Sequence, residues 1–330
     1  TRVRSSAASD VYKRQIMKWM KKRQARKNNN KFKIVFFTLV GIIFLLGIGI
    51  FILHINGTTT YDKSESTKTS LVTTSKKSSS GKPVIYPTIY ITGSSGGLTP
   101  PDVMVKKLLP IKSLPADKSL QIISNITKNY DLTVKGEISK DNQYPLIEFA
   151  TGKGTGSGEP YSIGLQKMMN YLSDHYNIPW VNMVGYSSGG TGAIYYMIDT
   201  VDNPNFPPVN KFVSLDGEYN EGTKLQYGET LTNVLENGPW VKTGMYKYIE
   251  DNYEKVSSKT EMMFLEGDFD TQNQTDSAIP WADSFSIYHL FKKNGNEISA
   301  TLYPTKTSHA HATENEIAIK YIKNFIYDTP

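Results

Sequence analysis

The feature that most constrains the fold of this chain is a turn, G-Y-S-S-G at residues 185–189, between an apolar strand and a helix. Residues 181–184 (VNMV) are strand-like, and the sequence after the turn is typical of a helix. Such a turn strains the backbone of Ser187, and side chains at Gly185 and Gly189 would collide with neighbouring backbone. The pattern predicts a nucleophile elbow that projects the Ser187 hydroxyl clear of a sheet; the alternative is a Gly/Ser-rich turn without chemistry.

The remainder of residues 83–330 alternates between short apolar runs and helical periods. Strands are predicted at 87–91, 145–150, 178–184, 211–215, 261–265 and 298–303. This alternation is typical of one α/β domain with a mainly parallel sheet covered by helices on both faces. Residues 218–257 interrupt the alternation with a mostly helical insertion, rich in Tyr and Gly, which is interpreted as a possible lid.

Two helical stretches can be placed from the spacing of their apolar residues. One carries an apolar face made of Leu165, Met168, Met169 and Leu172. The last helix is predicted to begin at a capping box formed by Thr313 and Glu316. Its predicted apolar face consists of Ala318, Tyr321, Ile322 and Phe325.

A membrane anchor is predicted at residues 34–53, a run of 20 residues without a charge. At about 1.5 Å per residue, a helix of this length spans the roughly 30 Å hydrocarbon core of a bilayer. Eight Lys and Arg residues and no acidic residue lie within residues 18–33, which predicts that residues 16–33 form a cytoplasmic tail. The remainder would then lie outside the cell. A cleaved signal peptide is the alternative.

Three other segments complete the predicted organisation. Residues 1–15 read like a translated sequencing-library adaptor, so Met17 is the expected start; a genuine short tail is the alternative. Residues 54–82 consist largely of Ser, Thr, Lys and Gly and are interpreted as an extracellular stalk, whether or not it is O-glycosylated. Residues 83–330 form the folded domain.

Charge and composition exclude several classes of function. Residues 1–82 hold 17 Lys and Arg against 3 Asp and Glu, whereas residues 83–330 hold 20 Lys against 28 Asp and Glu. The domain is therefore acidic, and its charge does not favour nucleic-acid binding. No Arg follows Arg26, so bidentate clamps for phosphate or carboxylate are absent, and the lack of Cys excludes thiolate metal sites and Cys nucleophiles.

A serine nucleophile needs a base, and the domain offers four histidines. His175 and His289 fall inside predicted helices, where a surface or satisfied histidine is expected. His309 and His311 fall in the loop between the last strand and the last helix, where the base is expected. Position along the chain alone does not separate His309 from His311.

The acid that orients the base should lie between Ser187 and the histidine pair. Asp268, Asp270 and Asp276 all follow the strand at residues 261–265 and are the candidates. Asp216, after the strand at 211–215, is a less favoured candidate.

The oxyanion hole is predicted from two backbone N–H groups. The Ser188 N–H directly follows the nucleophile. The second is assigned to Ser94, with Ser95 as the alternative, in the loop T-G-S-S-G-G at residues 92–97. That loop lacks the spacing of a P-loop, so it does not indicate a nucleotide site.

These motifs together resemble the membrane-anchored, cell-surface α/β-hydrolases of low-GC Gram-positive bacteria, a family of unknown function. The resemblance covers most of residues 83–330 and runs through PTIYITGSSGG, NQYPLIEFATG, GLQKMMNYLSDHYNIPWVNMVGYSSGG, TDSAIP and SHAHATEN. The family's S-D-G-x-V-P motif matches residues 275–280, which implies Asp276 as the acid. Its H-S-x-L-H-E-N motif matches residues 309–315, which implies His309 as the base.

The sequence also departs from the family pattern at several positions. Thr92 stands where a His is usual, and the elbow, usually G-H-S-M-G-G, has Tyr186 for His and Ser188 for Met. Ser277 replaces a Gly, and L-D-G-E at residues 215–218 replaces a less acidic turn. The residue types of the triad are retained.

The resemblance implies an α/β-hydrolase fold and a membrane-tethered, extracellular serine hydrolase. Ser187 would act as nucleophile, His309 as base and Asp276 as orienting acid. The expected substrate is a small-molecule or lipid-like ester, with no cofactor and no metal. The alternatives are an acyltransferase that uses the same triad and a catalytically inactive surface-binding module, because a fold alone does not fix an activity.

Overall fold

A computed structural model describes residues 81–109 and 118–327, which belong to the compact unit Lys77–Pro330. The predicted adaptor, cytoplasmic tail, anchor and all but the last two residues of the stalk lie outside the described residues. Within the described ranges, no helix is both long enough and apolar enough to cross a membrane.

The centre of the domain is an eight-stranded sheet in the order β3-β2-β4-β1-β5-β6-β7-β8. All neighbouring strands are parallel except β2 and β3, which form an antiparallel pair at one edge. The strands are β1 (Thr88–Ile91), β2 (Lys118–Asn125), β3 (Asp131–Gly136), β4 (Leu146–Ala150), β5 (Val181–Tyr186), β6 (Val209–Leu215), β7 (Glu261–Asp268) and β8 (Ile298–Pro304). This arrangement confirms the predicted α/β class and mainly parallel sheet.

Helices cover both faces of the sheet, because side chains on successive strand residues point to opposite faces. In β1, Ile89 and Ile91 pack into one apolar cluster, and Tyr90 packs into the other. The helices are α1 (Thr99–Leu108), α2 (Gly158–His175), α3 (Ser188–Thr200), α4 (Leu231–Asn237), α5 (Gly244–Glu250), α6 (Trp281–Ser284), α7 (Tyr288–Lys293) and α8 (Glu316–Tyr327). Helices α2 and α3 pack in the first cluster, and α1 and α8 pack in the second.

All six predicted strands are present, and the differences are local. The strand predicted from residue 178 begins at Val181, because Pro179 lacks the N–H that a sheet ladder needs. The edge strand β3, its neighbour β2 and the helix α1 are not predicted by the sequence. The residues of β3 are exposed or only partly buried, so this strand has no continuous apolar run.

The predicted start of the last helix is wrong. Asn315, rather than Thr313, caps α8, since its side-chain oxygen accepts the N–H groups of Ile317 and Ala318 at 2.9 and 3.1 Å. Thr313 lies in a 3₁₀ turn, His309–Glu314. The buried face is shifted accordingly and consists of Ala318, Ile319, Ile322 and Ile326, whereas Tyr321 is exposed.

The insertion at 218–257 contains α4, α5 and a 3₁₀ turn, Tyr253–Lys255, but these make up only 17 of its 40 residues, so the prediction of a mostly helical insertion is wrong. Its first residues are held to the body of the domain by Asp283. One carboxylate oxygen of Asp283 accepts the N–H groups of Tyr219 and Asn220 at 2.5 and 2.8 Å, and the other accepts the N–H of Gly222.

Close packing of α2 against α3 leaves no room for a side chain at Gly192. A Cβ there would lie 2.2 Å from the Cβ of Tyr161. We expect Gly192→Ala to lower the free energy of unfolding by about 1–3 kcal/mol through overpacking. Urea denaturation of the two proteins measures the difference.

Gly244→Ala is the matched control, because a Cβ at this helical position meets nothing within 4 Å. It should leave the protein unchanged or stabilise it by less than about 1 kcal/mol. Equal effects of the two substitutions would contradict the packing account.

Candidate active site

The turn between β5 and α3 lies at the centre of the candidate site. Ser187 has φ 53° and ψ −131°, in the region that favours glycine, and its N–H donates to the Leu215 carbonyl at 2.9 Å. A Cβ at Gly185 would lie 2.6 Å from the Gly189 carbonyl oxygen, and one at Gly189 would lie 2.4 Å from that of Thr92. Only glycine fits on either side of the turn, as the sequence predicts.

A hydrogen-bonded relay joins Ser187, His309 and Asp276. The Nε2 atom of His309 lies 3.0 Å from Ser187 Oγ, and its Nδ1 atom is hydrogen-bonded to Asp276 Oδ2. Because Asp276 can only accept when ionised, it holds the proton on Nδ1 and leaves Nε2 free to accept the serine proton. Ser187 and Asp276 are 4% and 1% exposed. All three residues follow the carboxyl ends of parallel strands, which meet at one edge of the sheet.

The loop that carries Asp276 is fixed by its own backbone. Asp276 Oδ1 accepts the N–H groups of Ala278 and Ile279 at 2.8 and 2.7 Å, and the Asp276 carbonyl accepts the N–H of His309 at 2.8 Å. Between these contacts Ser277 has φ 92°, a conformation that favours glycine. This is the position at which the resembling family has a glycine.

A second carboxylate, Asp216, lies beside the same histidine. Its Oδ2 atom is 3.8 Å from His309 Nδ1, and the side chain is 1% exposed. The Tyr303 hydroxyl donates to both carboxylate oxygens at 3.0 Å, and the Gly267 N–H donates to Oδ1 at 3.1 Å. Burial, and then the charge of Asp276, raise the pKa of Asp216 well above its usual range. The sequence offers this residue only as a less favoured acid.

The other predicted acids lie outside the relay. Asp268 accepts a hydrogen bond from Thr271 at 2.7 Å. Asp270 accepts from the backbone and side chain of Asn273, and these bonds lower its pKa. Asp268 ends β7 and Asp270 lies in the turn that follows; both side chains are partly exposed, and neither contacts His309.

The remaining histidines of the domain lie away from Ser187. His311 is exposed and lies 3.5 Å from Glu314. His175 ends α2, with Nδ1 2.7 Å from the Tyr171 carbonyl. His289 lies in α7 beside Tyr246, and burial lowers its pKa. Of the two histidines that chain position left open, the structure brings His309 to the serine.

The loop at residues 92–97, predicted to form the oxyanion hole, lies against Ser187. A Cβ at Gly93 would lie 3.0 Å from Ser187 Cβ, and the Gly93 carbonyl accepts the Tyr161 hydroxyl at 2.7 Å. The Ser94 carbonyl accepts the Thr155 N–H at 3.1 Å, which fixes the loop. Within the described residues the Ser94 N–H has no acceptor, and the Ser188 N–H is the first of α3. Neither N–H group therefore has a hydrogen-bond partner within the described part of the chain.

Two further side chains, to which the sequence pattern assigns no role, border the relay. The Tyr186 ring stacks on the His309 ring, with 5.1 Å between centroids, and its hydroxyl donates to the His309 carbonyl at 2.8 Å. Glu218 Oε2 accepts from the Ser188 hydroxyl at 3.2 Å, and burial raises its pKa. Both positions depart from the family pattern, which is the signal that could have marked them.

Asp216, Asp276 and His309 also form the one group in the described part of the chain with the donor types and spacing of a metal site. Their ligand atoms all lie within 4.8 Å of one another. Each donor already has a protein partner: His309 Nδ1 bonds to Asp276, and Asp216 accepts from Tyr303 and Gly267. The arrangement is complete as a proton relay.

The fold is shared with proteins of known structure. The product of gene lin2722 from Listeria innocua has a TM-score of 0.66 at 21% identity, with 74% of this chain and 95% of that chain covered. A candidate cell surface hydrolase from Lactobacillus plantarum WCFS1 has a TM-score of 0.60 at 13% identity, with 74% and 93% covered. No curated protein matches the sequence.

Residues 75–329 match a family model described as "Alpha/beta hydrolase of unknown function (DUF915)". The match covers the whole described sheet, the elbow and all three relay residues. The chain therefore belongs to this family of alpha/beta hydrolases.

Proposed function

We propose that the protein is a serine hydrolase that cleaves carboxylic esters through an acyl-enzyme. The observation that carries the proposal is the relay itself, with 3.0 Å between His309 Nε2 and Ser187 Oγ and a buried carboxylate on the far side of the imidazole. A serine hydroxyl becomes nucleophilic when a base held in the correct tautomer can take its proton.

The proposed reaction has two halves. Ser187 Oγ attacks the ester carbonyl while His309 Nε2 takes the hydroxyl proton, and the Ser94 and Ser188 N–H groups stabilise the oxyanion. The protonated His309 then gives its proton to the departing alcohol, which leaves an acyl-Ser187. Water attacks the acyl group as His309 takes one of its protons; His309 then returns that proton to Ser187 Oγ as the acid is released. Asp276 stabilises the imidazolium in both halves.

We further propose that the domain acts outside the cell on a membrane tether. The support is the uncharged run at residues 34–53 with basic residues on its N-terminal side. Fractionation of cells that express the full chain, with protease added to intact cells, tests this: the domain should be membrane-bound and cleavable from outside.

A fluorophosphonate probe tests the nucleophile. The wild-type protein should be labelled covalently, because the probe captures an activated serine, and Ser187→Ala should abolish labelling. Ser173→Ala in α2, which removes a serine distant from the elbow, is the control and should label like the wild type. A folded protein that does not label would instead support the inactive binding module.

The base is tested by replacing each histidine of the loop. We expect His309→Ala to lower kcat by about 10³-fold or more, because the serine then has no base. His311→Ala should change kcat by less than about threefold, since this side chain is exposed and lies against Glu314. Steady-state hydrolysis of p-nitrophenyl butyrate measures both, and equal losses would overturn the assignment of His309.

Glu218 bears on the charge of the preferred substrate. Its carboxylate contacts Ser188, and none of the ion pairs among the described residues involves it. No Arg lies in the domain to balance it. We infer that the enzyme discriminates against anionic acyl groups and favours neutral or cationic ones.

The test compares p-nitrophenyl esters with trimethylammonio-acyl, neutral branched and carboxylate-bearing acyl chains of similar size. In Glu218→Gln the ratio of kcat/KM for the cationic ester to that for the anionic ester should fall about tenfold, or 1.4 kcal/mol. Glu297→Gln is the control. It removes the same charge directly before β8, at the amino ends of the parallel strands and away from Ser187, and should leave the ratio unchanged. An unchanged ratio in Glu218→Gln would refute the inference.

A further inference from the structure

Two buried carboxylates, rather than one, face the side of His309 opposite Ser187. Asp276 bonds directly to His309 Nδ1, and Asp216 Oδ2 lies 3.8 Å from the same atom. The two acids come from different strands, Asp276 from the loop after β7 and Asp216 from the end of β6. A serine triad requires only one of them.

The backbone conformation and the hydrogen bonds of Asp216 hold its carboxylate in one position. Its backbone has φ 48°, a strained conformation for a residue other than glycine, and the Asp216 N–H donates to the Leu265 carbonyl at 2.8 Å. Tyr303 and the Gly267 N–H fix the carboxylate. The Tyr303 hydroxyl is shared between both oxygens, and Oδ2 is the oxygen that lies 3.8 Å from His309 Nδ1.

The charges around Asp216 and Asp276 determine whether both carboxylates can be ionised at once. The titratable groups that act on Asp216, or on which it acts, are Tyr186, Glu266, Asp276, Tyr303 and His309. None of them is Lys or Arg, so two buried negative charges here would lack a permanent counter-charge. Carboxylates that share a buried site retain one proton between them.

We propose that Asp216 is a second positioning acid for His309. Asp216 carries the shared proton while Asp276 is ionised. When Asp276 is neutral, Asp216 is ionised and stabilises the imidazolium instead. This inference rests on the proposed function. It explains why Asp216 is buried and fixed beside a histidine that already has an acid partner. Whichever of the two acids carries the proton, one negative charge remains on the Nδ1 side of the His309 ring.

A double-mutant cycle on p-nitrophenyl butyrate hydrolysis tests the proposal. Asn at position 216 has the shape of a neutral carboxyl group, so Asp216→Asn alone should cost less than about fivefold in kcat. Asp276→Asn should cost only about 10–100-fold, because Asp216 can ionise and face Nδ1. The double variant should lose about 10⁴-fold, as expected when no carboxylate supports the base.

The pH profile separates a positioning role from a purely structural one. Activity should rise with pH, and the pH at the midpoint of that rise should be higher in Asp276→Asn than in the wild type. The reason is that Asp216 must now ionise, and burial raises its pKa. Adding Tyr303→Phe removes a donor to the ionised carboxylate and should move that midpoint further up. If Asp216→Asn costs the same factor in both backgrounds and the midpoint does not move, the proposal is wrong.

A measurement without turnover keeps the test valid if a variant folds poorly or the esterase proposal fails. The raised pKa means that native Asp216 binds its proton more tightly than in the unfolded chain, so its contribution to stability is present below about pH 4 and is lost as pH rises through the native value. Asp216→Asn should therefore make the fall in unfolding free energy between pH 5 and 8 shallower. Glu218, Glu266 and Asp283 also contribute to that fall, because burial raises the pKa of each.

Fluorophosphonate labelling and the pH dependence of the unfolding free energy test the two proposals separately. Absence of fluorophosphonate labelling in the wild type, together with a shallower slope in Asp216→Asn, would reject the esterase and keep the shared proton. Normal labelling with an unchanged slope would keep the esterase and reject the shared proton.

Discussion

Steric exclusion around one turn is the constraint on which the rest of the site depends. Side chains cannot be added at Gly185, Gly189 or Gly93 without contacts of 3.0 Å or less, two of them to backbone oxygens. The three glycines let β1, β5 and the start of α3 approach each other closely enough to lift Ser187 out of the sheet. The loop at residues 92–97 and Ser187 are therefore brought together by the same backbone packing, and neither is positioned independently of the other.

Of the seven described residues other than glycine that have positive φ, three lie at the relay. Ser187, Asp216 and Ser277 have φ values of 53°, 48° and 92°, and each either belongs to the relay or adjoins it. Conformations of this kind cost of order 1–3 kcal/mol each and persist only where the surroundings over-determine them. Here the hydrogen bonds from Ser187 to the Leu215 carbonyl and from Asp216 to the Leu265 carbonyl tie the strained residues to β6 and β7. The parallel sheet thus supplies the restraint that the turns require.

The sequence predicts the centre of this fold better than its edges, for a physical reason. Strands such as β4, buried along their whole length, leave a continuous apolar run, whereas β3 is exposed or half-buried and leaves none. The elbow is predictable because the turn has no space for a side chain at Gly185 or Gly189, a requirement that is local in sequence. The choice between His309 and His311 is not, since it depends on how a loop folds over a distant strand end, and here a family motif was required. Asp216 is undervalued because its role depends on distances across strands that composition does not encode.

The electrostatics of the site favour the charge that a reaction would create over the charge of the resting protein. Burial raises the pKa of Asp216 and Glu266 well above their usual range and that of Asp283 to about 7. Arg is absent from the domain, so no permanent cation of that kind offsets these acids. The one cation that the relay itself can form is the imidazolium of His309, which arises when Ser187 is deprotonated. In the proposed ester hydrolysis, the carboxylates beside His309 would stabilise that transient cation more in the transition state than in the ground state, which is the condition for catalysis.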